Sequence, residues 1–327
     1  MNAIQTGPVW VALMVLFVAF FALTKSADYF VDSAVGIASR LHIPRLVIGL
    51  ILVSFATTSP ELSVSLVAAR YGNPEMALGN AIGSVICNCG IALGICGLLS
   101  RKPVPVVRRI FLPTGTFLFF ACCLLTFFVW RNGFLGRGEG LLLFMIFVVY
   151  SIVMLYFYRR GDLREKDVVQ GLPAQATRGP LGLFFSFALG LGGVVLASRF
   201  VVVSAVTIAG RIGVPESIIA LTLVAFGTSV PEVATSVVAA IKGEGALSIG
   251  NILGANIMNI CWVAGASAVA NPLIIQENEK VLMFPALLLM VGATLVVLYT
   301  SNALSRREGL CLLAGYGIYL ASFFVFG

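Results

Sequence analysis

Two glutamates pose the chemical question of this chain. Glu61 closes the stretch Ser54-Phe55-Ala56-Thr57-Thr58-Ser59-Pro60-Glu61, and Glu232 closes its echo, Ala225-Phe226-Gly227-Thr228-Ser229-Val230-Pro231-Glu232. The offset, 232 − 61, is 171 residues. Each carboxylate follows a proline, behind hydroxyl side chains, inside a long apolar run. A carboxylate near the centre of a bilayer costs at least ~2.5–3 kcal/mol, so two at matching places imply a shared polar site. Thr57, Thr58, Thr228 and Ser229 add hydroxyl oxygens to the two carboxylates. Such hard donors suit Ca²⁺ or Na⁺, and a flexible oxygen set suits Ca²⁺ better than Mg²⁺. Two facing carboxylates balance a divalent charge, whereas unpaired they repel. The expected chemistry is cation binding.

Pro60 and Pro231 lack an amide proton and crowd the preceding turn, which predicts a kink or break just before each glutamate. The carbonyls of Ser54 and Ala225 and their neighbours would then turn inward, as irregular backbone does where it lines a cavity. The following run supplies amides: Asn80 and Asn88, matched at the same offset by Asn251 and Asn259. They can donate to the glutamates or accept from an ion. Ser84 matches Ala255, so that hydroxyl exists in one half only. Gly79/Gly83 and Gly250/Gly254 are small-xxx-small pairs, for which plain helix packing explains as much as ion contact does. For Thr57 and Thr228 the competing reading is a hydroxyl bonded back within its own helix.

The elements that hold these residues follow from composition. Of 327 residues 59% are hydrophobic and 11% charged, against roughly a quarter charged in a soluble chain. Several runs exceed the ~18–20 apolar residues that cross a bilayer and none alternates, which predicts an all-α polytopic membrane protein and not a barrel. The net charge of +7 resides mostly in short polar gaps between those runs, which argues against nucleic acid. The seven cysteines lie mostly in apolar runs and lack the His/Cys companions of a zinc site, so they read as buried thiols. His42, in a polar loop with Arg40 and Arg45, is assigned no role. The first apolar run has no basic residue before it and no small-x-small site after it, so it reads as a retained helix.

Ten spans can be drawn: Gly7 to Ser39, Pro44 to Arg70, Glu75 to Ser100, Ile110 to Trp130 and Gly140 to Tyr158, then Pro180 to Gly210, Glu216 to Ile241, Ala246 to Ala270, Val281 to Tyr299 and Gly309 to Phe326. Residues 1–158 and 180–327 form two halves, and 159–179 is a polar linker too short for a folded module. Alternate connections receive unequal numbers of basic residues. Arg40, Arg45, Arg101, Lys102, Arg108, Arg109, Arg159, Arg160, Arg164, Lys166, Arg178, Lys242, Arg306 and Arg307 face Arg70, Arg131, Arg137, Arg211 and Lys280, fourteen against five. The larger set predicts the cytoplasmic side and puts both termini outside. Five spans per half means that the second half enters the membrane inverted, the plan of many secondary transporters. Lys25, Asp28, Asp32 and Arg199 lie within spans, either snorkelling or paired.

The doubled Thr-Thr/Ser-x-Pro-Glu, each copy followed by Gly-Asn-x-x-Gly and an Asn, resembles the α-repeats of the cation/Ca²⁺ antiporter superfamily, in its sodium/calcium exchanger branch. The resemblance covers both repeats and implies ten helices in two inverted halves around a diamond of sites for Ca²⁺ and Na⁺. By motif position it makes Glu61 and Glu232 the principal ligands. Thr57, Thr58, Thr228, Ser229, Ser84, Asn88 and Asn259 would contribute further, and the Ser54 and Ala225 carbonyls would line the pocket. This sequence departs from the family pattern at Asn259, where relatives often carry Asp, at Ala255, and at Val85, whose counterpart is Asn256. The resemblance further implies a multi-pass protein of the cell (inner or plasma) membrane, with inorganic cations and the bilayer as partners. No cofactor and no obligate protein partner is expected. An intramembrane glutamate can also carry a proton, so Ca²⁺/H⁺ exchange is the rival reading. A cation channel ranks below both, since channels more often build pores from symmetric subunits. An enzyme ranks lower still, because no Ser or Cys has a visible base partner.

Overall fold

The computed structural model describes residues 7–41, 43, 45–71, 73–159, 179–211 and 224–326. His42, Pro44, the linker residues 160–178, and 212–223, with Pro215 and the expected start of the seventh span at Glu216, lie outside the described residues. The architecture is helical throughout: α1 (Val9–Leu41), α2 (Arg45–Arg70), α3 (Pro74–Leu99), α4 (Arg108–Asn132), α5 (Arg137–Arg159), α6 (Pro180–Arg211), α7 (Val224–Ile241), α8 (Gly245–Ala270), α9 (Glu277–Ser301) and α10 (Arg306–Phe326). Eight of these are long and apolar enough to cross a membrane, and α7 holds a shorter apolar stretch, Phe226–Ile241. The chain is therefore a multi-pass integral membrane protein, since in lipid only a helix or a closed barrel satisfies its own backbone.

Helix starts differ from those expected at α5 and α10, which begin at Arg137 and Arg306 instead of Gly140 and Gly309. Each gains a polar first turn because a glutamate reaches back to the preceding backbone. Glu139 Oε2 accepts from Gly136 N at 2.6 Å, and Glu308 Oε2 from Ser305 N at 2.6 Å. These are the carboxylate halves of capping boxes, which hydropathy does not register.

The expected break at the signature prolines is not found. Helix runs through both Pro60 and Pro231. A proline costs one amide bond, here that to the carbonyl of Ala56 or Gly227, and the helix tolerates this where neighbours support it. The irregular backbone instead takes the form of wide π-helical turns, at Gly49–Val53 ahead of the first signature and at Asn88–Ala92 and Asn259–Val263 after the asparagines. Turns of this kind are frequent at functional sites.

The internal repeat extends well beyond the signatures. The π turns of α3 and α8 are 259 − 88 = 171 residues apart. Helices α4 and α9 start 277 − 108 = 169 apart, and each ends on a left-handed residue, Gly133 or Asn302. Short strands flank them: β1 (Val104–Pro105), β2 (Phe134–Leu135), β3 (Leu273–Ile274) and β4 (Ala303–Leu304). They pair crosswise and antiparallel, Val104 opposite Leu304 and Phe134 opposite Ile274. The connection after α3 thus lies beside the connection after α9, and its sequence counterpart after α8 lies beside the one after α4.

The middle of the bundle is α3 and α8. Of their most apolar eighteen residues 78% and 83% are buried, against 17% in α1 and α5. One apolar cluster joins α2–α5 to α8–α10, and a second unites α1, α6 and α7 with Ile48, Val53 and Leu247. At the centre α2 crosses α8 at backbone contact. A Cβ on Gly49 would meet Leu247 O at 2.5 Å, and one on Gly250 or Gly254 would fall on the carbonyls of Leu46 or Leu50.

One ion pair fastens this crossing at its end. Arg45 Nη1 donates to Glu244 Oε2 at 2.6 Å, in the turn between α7 and α8. Burial pushes the Glu244 carboxyl up, and Arg45 offsets this only in part. An acid whose folded pKa is raised adds stability that is fully present below its unfolded pKa and lost as pH rises through the folded one. At neutral pH the pair therefore adds little, and Glu244→Gln is expected to change stability by less than ~1 kcal/mol. Thermal unfolding in detergent, run at neutral and at mildly acidic pH, checks this: the variant should lose the parent's gain on acidification.

Candidate cation site

On α2 the spacing i, i+3, i+4, i+7, i+11 gathers Ser54, Thr57, Thr58, Glu61 and Ser65 on one face, and all five are fully buried. On α7 the equivalent face carries Thr228, Ser229, Glu232 and Ser236, of which the last three are fully buried. Ala225 belongs to α7, and its side chain lies outside the described residues. Helix α3 offers Asn80, Ser84 and Asn88 at i, i+4, i+8, and α8 offers Asn251, Ala255 and Asn259 in the same register, all buried. A polar face buried in an otherwise apolar bundle requires partners from the facing helices.

Those partners come from the opposite half. Thr58 Oγ1 donates to Glu232 Oε1 at 3.1 Å. Thr228 Oγ1 donates to Asn80 Oδ1 at 2.9 Å, and Thr57 Oγ1 to Asn251 Oδ1 at 3.4 Å, the same bond under the 171-residue offset. Asn80 Nδ2 donates to Ser65 at 3.0 Å, and Asn251 Nδ2 to Ser236 at 2.8 Å and Thr235 at 3.1 Å. Ser84 and Thr228 hydroxyls meet at 3.5 Å. Asn88 Nδ2 donates to Asn256 Oδ1 at 3.1 Å, and Asn256 Nδ2 to Cys89 Sγ at 3.3 Å. The signatures thus converge. Glu61 and Glu232 face each other closely enough for their charges to act on one another directly.

The unsatisfied atoms localise the site. Among the described residues eleven buried side-chain polar atoms lack a hydrogen-bond partner. Seven belong to this cluster: both oxygens of Glu61, Glu232 Oε2, Ser229 Oγ, Asn88 Oδ1, and both amide atoms of Asn259. Six of those seven are oxygens. Leaving a buried polar atom unpaired costs about 1–3 kcal/mol, more for a charged group, so seven in one place require a polar guest. No group of three or more His, Cys, Asp and Glu gathers among the described residues, so the donors are two carboxylates amid hydroxyls and amides. That set fits a hard cation and would bind a soft one poorly.

Two expectations are redirected. Asn80 and Asn251 serve the threonines and serines of the signatures, not the glutamates. The Ser54 hydroxyl bonds back to Leu50 O at 2.5 Å, and its carbonyl accepts from Thr57 at 3.4 Å, so Ser54 stays within helical bonding. Ser65, Ser236, Thr235 and Asn256 were not singled out from sequence. The first two repeat at the 171-residue offset, four residues after each glutamate, which is the signal that could have found them. Replacing Asn251 by Ala strands Thr57, Thr235 and Ser236 together, and a loss of about 1–3 kcal/mol is expected. Reduced thermostability in detergent would register it, whereas Gly79→Ala, which adds a Cβ with nothing within 4 Å, should not.

The family model of the sodium/calcium exchanger protein matches residues 11–156 and 182–325, nearly the whole chain and both signatures. The chain belongs to the sodium/calcium exchanger family. Among family relatives the CaxA protein of Alkalimonas amylolytica is 33% identical over 321 residues, covering 94% of this chain and 96% of that one. The sodium/calcium exchanger MaX1 of Methanosarcina acetivorans is 27% identical, with 96% and 99% covered. The inner membrane protein YrbG of Escherichia coli is 29% identical, with 95% and 96% covered. A solved structure of the sodium-calcium exchanger NCX_Mj, soaked with zero Na⁺ and Ca²⁺, superposes with a TM-score of 0.78 at 26% identity, covering 96% of this chain and 99% of that one. The exchanger fold therefore extends over the whole described bundle.

Proposed function

We propose that this chain is an antiporter that moves Ca²⁺ across the membrane in exchange for Na⁺, by alternating access to one site between Glu61 and Glu232. The observation that carries the reading is the cluster of unpaired oxygens on two carboxylates held face to face by bonds that cross between the halves. Ca²⁺ would neutralise both carboxylates, and Na⁺ ions would do so singly. Thr57, Thr58, Thr228, Ser229, Ser84, Asn88 and Asn259, with the Ser54 and Ala225 carbonyls, would complete the ligand set. Membership of the family and the likeness to NCX_Mj support cation/Ca²⁺ exchange.

The same reading takes the ten helices as ten crossings, in inverted halves 1–158 and 180–327, with the 159–179 linker in the cytoplasm and both termini outside. Crosswise strand pairing supports inversion, because equivalent connections lie at opposite ends of the bundle. The bacterial or archaeal cell membrane, inner where there are two, is the proposed location.

Access in this conformation is one-sided. A cavity of about 1070 Å³ opens between α2, α6 and α7, lined by Ser59, Pro60, Ser63, Thr228 and Pro231 and running along α6 to Gly210. Its mouth is at the end where α6 finishes, the outer face in this topology. At the opposite end α1 is tied to α7, Lys242 Nζ meeting Asp32 Oδ1 at 2.5 Å and Asp28 Oδ1 at 3.4 Å. Rocking of α1 and α6, which share their own apolar cluster, would exchange the two conditions.

Isotopic Ca²⁺ uptake into proteoliposomes tests the coupling. An imposed Na⁺ gradient should drive uptake, and K⁺ or pH gradients alone should not. Uptake driven by a pH gradient with Na⁺ absent would overturn Na⁺ coupling in favour of H⁺. Single-channel currents would favour a channel.

A further inference from the structure

Arg199 is a guanidinium in the middle of α6 that the site does not use. It lies 211 − 199 = 12 residues before the end of that helix, ~18 Å at ~1.5 Å per residue, whereas half of a bilayer core is ~15 Å. It is solvent-accessible in the protein and lines the cavity that leads to Thr228, Pro60 and Pro231. Among the described residues it has no ion-pair partner. A charge at such depth without a partner is rare outside functional routes. The position 171 residues earlier is Asp28, an acid, which with Asp32 sits on the opposite route beside Lys242. The two routes to one pseudo-symmetric site therefore carry charges of opposite sign.

We propose that Arg199 is a specificity-determining residue of the outer vestibule, a fixed positive charge that opposes the re-entry of divalent cations more than of monovalent ones. The inference rests on the exchange reading and its topology. A potential acts on an ion in proportion to its charge, so the factor by which it depletes a divalent ion is the square of that for a monovalent one. Ca²⁺ released outward would meet a barrier to rebinding that Na⁺ entering from the same side largely escapes. On the inner route Asp28 and Asp32 have no such repulsive effect.

The test is Ca²⁺ and Na⁺ transport in oriented proteoliposomes, varying each ion on each face, for the parent, Arg199→Gln, Arg199→Glu and Arg199→Lys. At low ionic strength Arg199→Gln should lower the outer apparent KM for Ca²⁺ about fourfold where that for Na⁺ falls about twofold, the square relation of the two charges. Arg199→Glu should move both further in the same direction, and Arg199→Lys should match the parent. Inner-face values should not move, and at ~1 M salt, where the Debye length is ~3 Å, the differences should vanish. Unchanged outer values in both Arg199→Gln and Arg199→Glu, or equal shifts for the two ions, or equal shifts at the two faces, would overturn the proposal. A parent that moves no Ca²⁺ under any gradient would overturn the exchange reading, and this inference with it.

Discussion

Glu61→Gln is expected to abolish Ca²⁺ exchange, lowering the initial rate at least a hundredfold, without lowering the yield of folded protein. The change keeps the shape of the side chain and removes one of the two formal charges at the site. Glu61 accepts no hydrogen bond from the protein, so no internal bond is lost. The loss falls on the guest. Removing one member of a buried charge pair typically costs about 2–5 kcal/mol, and each ~1.4 kcal/mol is tenfold in affinity. Glu232→Gln should act alike on transport, but it also weakens a charge-assisted bond from Thr58. Stability separates this from misfolding. Without Ca²⁺ the Glu61→Gln variant should unfold at the parent's temperature or above it, because two unpaired carboxylates no longer face each other. With Ca²⁺ the parent should gain about 2.7 kcal/mol at a hundredfold excess over Kd, and the variant should gain almost nothing. Wild-type uptake in either variant would remove the basis for a shared carboxylate site.

Gly254→Ala should be the most damaging single methyl added anywhere in the bundle. Its Cβ would fall on the Leu50 carbonyl and the Ser54 hydroxyl, and a Cβ at Gly250 would fall on the Leu46 carbonyl. These are backbone atoms at the α2–α8 crossing, so no rotamer change relieves the overlap. Overpacking typically costs about 1–3 kcal/mol, and here the helices that carry Glu61 and Asn259 must part. Little folded protein should elute as a monodisperse peak, and what does should have lost Ca²⁺-dependent stabilisation. In the equivalent half Gly79→Ala meets nothing within 4 Å. Equal tolerance of both substitutions would contradict the close crossing.

The sequence made the glutamates, the threonines and the repeat legible because charged and hydroxyl residues at a fixed offset are conspicuous in an apolar chain. It also made most helix limits legible to within a few residues, since hydropathy ends where lipid ends. Backbone form was less legible. Proline suggested a break at Pro60 and Pro231, yet the helices run through, and the wide turns occur at Gly49–Val53, Asn88–Ala92 and Asn259–Val263, where no residue type announces them. Partner choice was hidden as well. Asn80 and Asn251 were equally able to serve the glutamates or the hydroxyls, and only packing of α3 on α7 and α8 on α2 decides it. Asp28 and Asp32 read as snorkelling or paired until the turn after α7 brought Lys242 to them.

The most direct measurement is anomalous diffraction from crystals soaked in Sr²⁺ or Mn²⁺ as a stand-in for Ca²⁺. The expected result is one dominant peak within bonding distance of both the Glu61 and Glu232 carboxylates, lost in the Glu61→Gln variant. A peak elsewhere in the bundle, or carboxylates turned away from each other into packed protein with no peak between them, would contradict a shared divalent site.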